Sequence, residues 1–173
     1  MANFKTLFLY QEPWEAERFE SGVGPEMEVV GFPQGTDLLE VGGGHPETVM
    51  VVGGGGVRSA EVADLFPRLQ LIQTLSAGTD TIPKIEMSER GVRVANNMGG
   101  NAVAVAEVTV ALIVSTYRRL MVQWNDTNNK GVYGAGFVSD WGRFHELTGK
   151  RVGIVGLGQI GSRVAKRLAG WEC

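Results

Sequence analysis

The chain has 173 residues, of which 43% are hydrophobic and 20% are charged, so it can form one globular domain and part of a second. Its net charge of −3 provides no basic surface for nucleic acid or an anionic membrane, and its longest apolar run, Val108 to Val114, is far shorter than a membrane span. The single cysteine, Cys173, excludes an internal disulfide and is typical of a reducing compartment, so we expect a cytoplasmic protein.

Predicted strands and helices alternate along the first hundred residues. The strands are Lys5–Tyr10, Met27–Val30, Thr48–Val52, Leu69–Leu75 and Val92–Ala95, and the helices are Trp14–Glu20, Arg58–Phe66 and Ile82–Arg90. The run TVMVV is apolar almost throughout, as expected for a strand that is buried on both faces. This alternation favours parallel pairing, so we predict an α/β fold with a flavodoxin-like layer over residues 1–100.

Four consecutive glycines, Gly53 to Gly56, follow the TVMVV strand. They lie at the carboxyl end of a strand, which is the edge where α/β sheets bind ligands. The run could line a cleft opposite Ser76, but we interpret it as a mobile loop.

A second domain is predicted over residues 101–173. Asn101 is expected to cap a helix that runs to about Val122. Its stretch Ala102 to Val114 is apolar nearly all round, so we expect it to be buried between layers or subunits. Glu107 stands alone among these apolar residues. Since a buried carboxylate without a partner is costly, we expect it to accept hydrogen bonds from a nearby loop and to be structural. Residues 125–147 are polar and glycine-rich and are predicted to form an arm.

The strongest motif lies near the C-terminus. A predicted strand, Arg151–Val155, leads into the loop GLGQIG of residues 156–161 and then into a helix. In the pattern G-x-G-x-x-G, Gly156 allows a tight turn, Gly158 lets a pyrophosphate approach the backbone, and Gly161 lets helix and strand pack closely. The helix start directs N–H groups and a positive dipole end at the phosphates. The motif therefore predicts the beginning of a Rossmann dinucleotide-binding domain, with a chance glycine-rich turn as the alternative.

Three segments together resemble the D-isomer-specific 2-hydroxyacid dehydrogenase family. They are LIQTLSAGTDTI at residues 71–82, the stretch of residues 91–120 that contains Val105-Ala106-Glu107, and the GLGQIG segment. The resemblance implies a flavodoxin-like substrate (catalytic) domain, followed by an inter-domain helix and the first strand-loop-helix of an incomplete NAD-binding Rossmann domain. It covers most of the chain from about residue 48.

The resemblance also implies roles for individual residues. Ser76, Ala77 and Gly78 match the loop whose backbone amides face the substrate carboxylate. Val105 matches a position near the nicotinamide, and the expected cofactor-binding loop comprises Gly156, Gly158, Gln159, Ile160 and Gly161. The family's catalytic Arg, Glu and His are expected beyond Cys173. His45 and His145 do not match those positions and are interpreted as solvated or capping residues. No metal is expected, because no Cys/His cluster has zinc-ligand spacing.

The implied function is hydride transfer between NAD(H) and a small 2-hydroxy or 2-oxo acid, by a protein that is a homodimer at full length and has no nucleic-acid or membrane partner. We interpret the chain as a fragment that is inactive alone. NADP is not excluded, since the ribose-reading residue would follow Cys173. Two alternatives stay open: an NAD(H)-sensing corepressor-like protein of the same fold, and a flavodoxin-like binding module in residues 1–100.

Overall fold

A five-stranded parallel sheet forms the first part of the computed structural model, which describes residues 4–131 and 141–173. The strands are β1 (Phe4–Tyr10), β2 (Met27–Pro33), β3 (Thr48–Val52), β4 (Leu71–Gln73) and β5 (Arg93–Ala95). Their order is β2-β1-β3-β4-β5, with every neighbouring pair parallel. This is the flavodoxin-like order, so the predicted fold class is confirmed.

Seven α-helices occur in the described residues. They are α1 (Pro13–Gly22), α2 (Leu38–Val41), α3 (Glu61–Leu65), α4 (Lys84–Glu89), α5 (Ala102–Tyr117), α6 (Leu120–Lys130) and α7 (Gly161–Leu168). Short 3-10 turns lie at Gly42–Gly44, Gly54–Gly56 and Trp141–Arg143. The chain divides into two compact units, Met1–Met98 and Gly99–Cys173.

The core of the first unit lies between one face of the sheet and the helices that follow β2, β3 and β4. From the strands it takes Leu7, Leu9, Val51 and Ile72, and from the helical segments Leu38, Val62, Phe66 and Met87. On the opposite face, Phe8 of β1 stacks on Phe19 of α1, with ring centroids 4.7 Å apart. As the TVMVV run predicted, Val51 and Val52 are both buried although they point to opposite faces.

A charged cluster joins three segments at the amino ends of the strands. Lys5 of β1 contacts Glu28 of β2 at 3.2 Å, and it also contacts Glu47, which precedes β3. The hydrogen bond from Lys5 lowers the pKa of the Glu47 carboxyl below its ordinary value, and the same bond raises the pKa of Lys5. The cluster lies at the end of the sheet opposite to the carboxyl ends of the strands.

The helix predicted from Asn101 to Val122 is interrupted in the second unit. Arg119 has a φ of +49°, a left-handed conformation that ends α5, and α6 then continues to Lys130. That conformation costs roughly 1–2 kcal/mol for a residue with a Cβ. The predicted arm therefore begins as helix, and its residues 132–140 lie outside the described part of the chain. Asn101 is the residue before α5, but its side chain makes no capping hydrogen bond.

The apolar stretch Ala102 to Val114 is only partly buried within this unit, and its expected burial between layers or subunits stays a prediction. Only Ala102 and Ala106 of α5 are buried, whereas Val108 and Leu112 are 56% and 61% exposed. The buried side of α5 packs against α7 and the segment before it, through a small core of Ala106, Leu147, Val164 and Leu168. One side of α5 thus has a packing partner among the described residues, and its other apolar side has none.

The predicted strand Arg151–Val155 is not a strand in this structure. No described segment pairs with it, and Val155 is fully exposed. A strand needs a ladder of hydrogen bonds to a neighbour, so an apolar run with the right composition remains irregular when none lies beside it. The predicted helix after the glycine loop is present as α7.

Candidate functional site

A concave pocket of about 340 Å³ lies at the carboxyl ends of β1, β3 and β4. Its wall includes Leu9 and Gln11 from the end of β1, the glycines after β3, and residues Thr74 to Ser76 after β4. In a sheet of order 2-1-3-4-5 the chain reverses its direction of winding between β1 and β3, and ligands bind at that point. The fold therefore places a binding crevice here without reference to any motif.

The glycine run is the floor of this pocket. Gly53, with a φ of +91°, donates its N–H to the Gln73 carbonyl at 2.8 Å, and Gly53 and Gly54 are buried. A Cβ on Gly53 would lie 2.6 Å from the Leu9 carbonyl oxygen, and one on Gly54 would lie 2.7 Å from a methyl of Thr74. Side chains are thus excluded by close packing. The run lines the pocket that contains Ser76, which is the alternative that the sequence left open, and its interpretation as a mobile loop stays a prediction.

The loop after β4 carries the predicted substrate residues. Ser76 and Gly78 line the pocket, and Ala77 lies between them in the chain. No acceptor in residues 4–131 or 141–173 receives the backbone N–H groups of Ser76, Ala77 or Gly78. Successive free amides of this kind bind anions, so the loop can receive a carboxylate.

The pocket has little charge of its own. Its described lining residues include no Lys, Arg or His, and the one carboxylate is that of Glu15. Glu15 accepts hydrogen bonds from the backbone N–H groups of Gln11 at 2.8 Å and Glu12 at 3.4 Å, so it is engaged at the start of α1. Recognition of an acid by these residues would therefore depend on backbone amides and neutral side chains.

The GLGQIG loop in the second unit has the geometry of a backbone cradle. Gly156 has a φ of +90°, and a Cβ on Gly161 would lie only 2.0 Å from the Gly156 carbonyl oxygen. The N–H groups of Leu157, Gly158, Gln159 and Ile160 have no acceptor among the described residues. Nothing lies within 4 Å of a Cβ on Gly158, so the loop is open where a phosphate would approach. The residues therefore fit a pyrophosphate.

Two neighbours of this loop were not found by sequence reasoning. The Arg163 guanidinium donates to the carbonyl and to the side-chain oxygen of Gln159, each at 2.6 Å, which ties that side chain to α7. Gly99, with a φ of +82°, also lies beside Gln159, and a Cβ on Gly99 would be 3.4 Å from the Gln159 Cγ. The G-x-G-x-x-G pattern extends to neither position, so it gave no signal for them.

Val105 is half-buried near the start of α5, where its carbonyl accepts a hydrogen bond from the Thr109 hydroxyl at 2.7 Å. Its proximity to a nicotinamide stays a prediction.

Contrary to our expectation, Glu107 is not buried, since its side chain is 62% exposed. Its carboxylate pairs with Arg167 of α7 at 2.9 Å, so its partner is a helix rather than a loop. Glu107 is oriented outward because Ala106 and Val110 occupy the side of α5 that packs on the core.

The two histidines lie in different surroundings. His145 is exposed, and its ring meets Tyr117 edge-on with centroids 5.9 Å apart. His45 is half-buried against Phe32, its backbone N–H caps the turn at Gly42, and its Nδ1 is buried without a hydrogen-bond partner among the described residues. Neither histidine lines the pocket at the ends of β1, β3 and β4.

The described residues contain neither a candidate metal site nor a candidate membrane span. Between residues 4–131 and 141–173, no three His, Cys, Asp or Glu side chains are grouped so that they could hold a metal ion. None of the helices in those ranges is both long enough and apolar enough to cross a bilayer.

Comparison with known proteins places these observations in a family. The model of the catalytic domain of D-isomer specific 2-hydroxyacid dehydrogenases matches residues 12–165. Hydroxyphenylpyruvate reductase of Plectranthus scutellarioides is 34% identical over 114 residues, covering 66% of this chain and 35% of that protein. Glyoxylate reductase of Thermofilum pendens is 38% identical over 117 residues, covering 65% and 33%.

A solved structure resembles the whole fold. The NAD-dependent formate dehydrogenase of Staphylococcus aureus, solved in complex with NAD, superposes with a TM-score of 0.75 at 23% identity, over 97% of this chain and 54% of that one. At this level of identity the likeness shows the fold alone. The chain matches about a third of the length of these two curated relatives and about half of this solved structure.

Proposed function

Because the chain belongs to the D-isomer-specific 2-hydroxyacid dehydrogenase family, we propose that it contributes the substrate domain and the first part of the NAD-binding domain to an oxidoreductase. The reaction is hydride transfer between NAD(H) and a small 2-hydroxy or 2-oxo acid. When bound, the dinucleotide supplies the redox chemistry, and the protein supplies binding and orientation. The curated relatives named above are reductases, which favours this function over a corepressor.

The single observation that carries the proposal is the cradle of the GLGQIG loop. The overlap between a Cβ on Gly161 and the Gly156 carbonyl oxygen requires glycine there, and four successive amides are free beside it. We assign Gly156, Gly158, Gln159, Ile160 and Gly161 to the pyrophosphate, and Val105 to the nicotinamide side. The solved relative bound to NAD supports NAD as the cofactor, with NADP open.

The substrate end is assigned to Ser76, Ala77 and Gly78. Their free amides would hold the carboxylate, and the glycine floor would leave room for a compact acid. The relatives are named for reducing glyoxylate and hydroxyphenylpyruvate, both 2-oxo acids, so the proposed substrate class is the 2-oxo acids. We further propose a cytoplasmic homodimer for the full-length protein, in line with the family resemblance.

A fluorescence titration of the 173-residue chain with NADH tests the assignment of the cradle. We expect saturable binding that ADP displaces more effectively than adenosine, because the pyrophosphate contacts dominate. We also expect no consumption of NADH with glyoxylate above background, since the family's Arg, Glu and His do not match any of these residues. A folded chain that binds no NADH, or from which adenosine displaces NADH as well as ADP does, would contradict the assignment.

A further inference from the structure

The carbonyl groups of the substrate loop are all engaged, whereas its amides are free. The Ser76 carbonyl accepts from the Thr74 hydroxyl at 2.7 Å and from the Asn97 backbone N–H at 3.1 Å. The Ala77 carbonyl accepts from the Asn96 side-chain amide at 2.8 Å. The carbonyls of Leu75 and Gly78 accept weaker bonds, from the Asn97 side chain at 3.4 Å and the Ser76 hydroxyl at 3.3 Å.

Engaged carbonyls fix the direction of the amides that follow them. In a planar trans peptide the C=O and the next N–H point in opposite directions, so a donor that holds one also orients the other. Asn96 thereby orients the N–H of Gly78, and the two bonds to the Ser76 carbonyl orient the N–H of Ala77. Both N–H groups lack an acceptor among the described residues, on a loop whose Ser76 and Gly78 line the pocket.

We propose that Asn96 is a positioning residue that pre-orients the Gly78 amide for the substrate carboxylate. This inference rests on the proposed function of the loop. Asn96 is suited to the task because it follows β5, comes from 19 residues along the chain, and is half-buried. A donor anchored beside a neighbouring strand restricts the conformations of the exposed loop before the substrate binds. The loop then loses less conformational entropy on binding, which increases the affinity.

Asn97 provides a matched control because it is the next residue and carries the same side chain. Its main contribution to the loop is its backbone N–H, which an alanine keeps, and its side chain makes only the 3.4 Å bond to Leu75. Asn96→Ala removes the 2.8 Å bond and leaves no replacement. Both substitutions preserve the net charge, so neither changes the long-range attraction of an anion.

The experiment is an NMR titration of the ¹⁵N-labelled chain with sodium glyoxylate, following the amides of Ser76, Ala77 and Gly78. We expect wild type to show saturable shifts at Ala77 and Gly78. For Asn96→Ala we expect binding weakened about 3- to 10-fold, and for Asn97→Ala no more than about 2-fold. Amide signals away from the pocket should stay in place in both variants, which separates positioning from a general loss of structure.

Wild-type shifts at Ala77 and Gly78 together with unchanged affinity in Asn96→Ala would overturn the positioning role and leave the proposed function intact. Absence of any shift in wild type would overturn both. A second measurement needs no variant: hydrogen exchange in the free wild-type chain should leave the Ala77 and Gly78 amides unprotected. Strong protection would mean that these amides already have acceptors, which would overturn the proposal even if Asn96→Ala does not fold.

Discussion

Replacing Gly161 with alanine is the most specific perturbation of the proposed cofactor cradle. The added Cβ would lie 2.0 Å from the Gly156 carbonyl oxygen and 3.2 Å from Ile154 Cγ2, whereas ordinary contact begins at 3.4 Å. The neighbour at the shorter distance is a backbone atom, so the loop itself must move by about 1 Å or more. In enzymes, a misplacement of that size can lower the reaction rate by up to about 100-fold.

The two energetic effects of this substitution have opposite signs. Alanine favours a helix over glycine by roughly 0.5–1 kcal/mol, which would stabilise the start of α7. Overpacking costs about 1–3 kcal/mol, and it displaces the amides of Leu157 to Ile160 that the proposal assigns to the pyrophosphate. We therefore expect NADH binding to weaken by at least about 10-fold, equivalent to about 1.4 kcal/mol.

The assay is a fluorescence titration with NADH, with Gly170→Ala as the control. Gly170 follows the same helix, and nothing lies within 4 Å of a Cβ placed there, so its substitution should leave the affinity within about 2-fold. Equal NADH affinity in Gly161→Ala and wild type, with both proteins folded, would refute the assignment of the cradle.

Three further predictions concern stability. Phe66→Ala, at a position 1% exposed in the core of the first unit, should lower the free energy of unfolding by about 3–5 kcal/mol, whereas Phe4→Ala, at a position 47% exposed, should cost far less in the same urea titration. Glu107→Gln should cost less than about 1 kcal/mol, because the pair with Arg167 is largely exposed; a loss of several kcal/mol would indicate the buried carboxylate that the sequence suggested. Lys5 lowers the folded-state pKa of Glu47, so this contribution to stability is present above the ordinary pKa of 4.5 and is lost as the pH falls through the folded value. The difference in unfolding free energy between wild type and Glu47→Gln should therefore shrink between about pH 6 and about pH 3, and a difference that grows in that interval would contradict the assignment of the pair.

The sheet could be predicted from the sequence because its signals are local. The continuous apolar run at Thr48–Val52 indicated a strand that is buried on both faces, and β3 lies between β1 and β4. Two residues at each end of the predicted strand Leu69–Leu75 lie outside the observed strand, so β4 spans only Leu71–Gln73. Gln70 and Thr74 lie just outside it, although their N–H groups still bond to Val49 and Ala95.

The errors in the second unit arise where structure depends on distant partners. Arg151–Val155 has the composition of a strand, but pairing is decided by a neighbour that composition cannot supply. The apolar stretch of α5 predicted burial between layers or subunits, and within this unit only one side of the helix has a packing partner. No glycine or proline lies next to Arg119 to indicate a break, so the apolar pattern predicted a helix that continues to Val122.

The candidate site was predicted unevenly. The glycines of the GLGQIG loop can be recognised by their spacing, and the structure places Gly156 to Ile160 directly before α7, which begins at Gly161. Asn96 carries no such signal, because its partner Ala77 is 19 residues away in the chain and the contact exists only once β4 and β5 are adjacent. Residues proposed to contact a ligand are therefore easier to recognise in the sequence than a residue proposed to orient them.

A crystal structure of the chain grown with NADH and glyoxylate tests the central assignment most directly. We expect pyrophosphate oxygens within about 3.2 Å of backbone nitrogens in residues 157–161, and the glyoxylate carboxylate within the same distance of the nitrogens of Ala77 and Gly78. Ligands bound elsewhere, with those amides facing only solvent, would contradict both the cofactor and the substrate assignments.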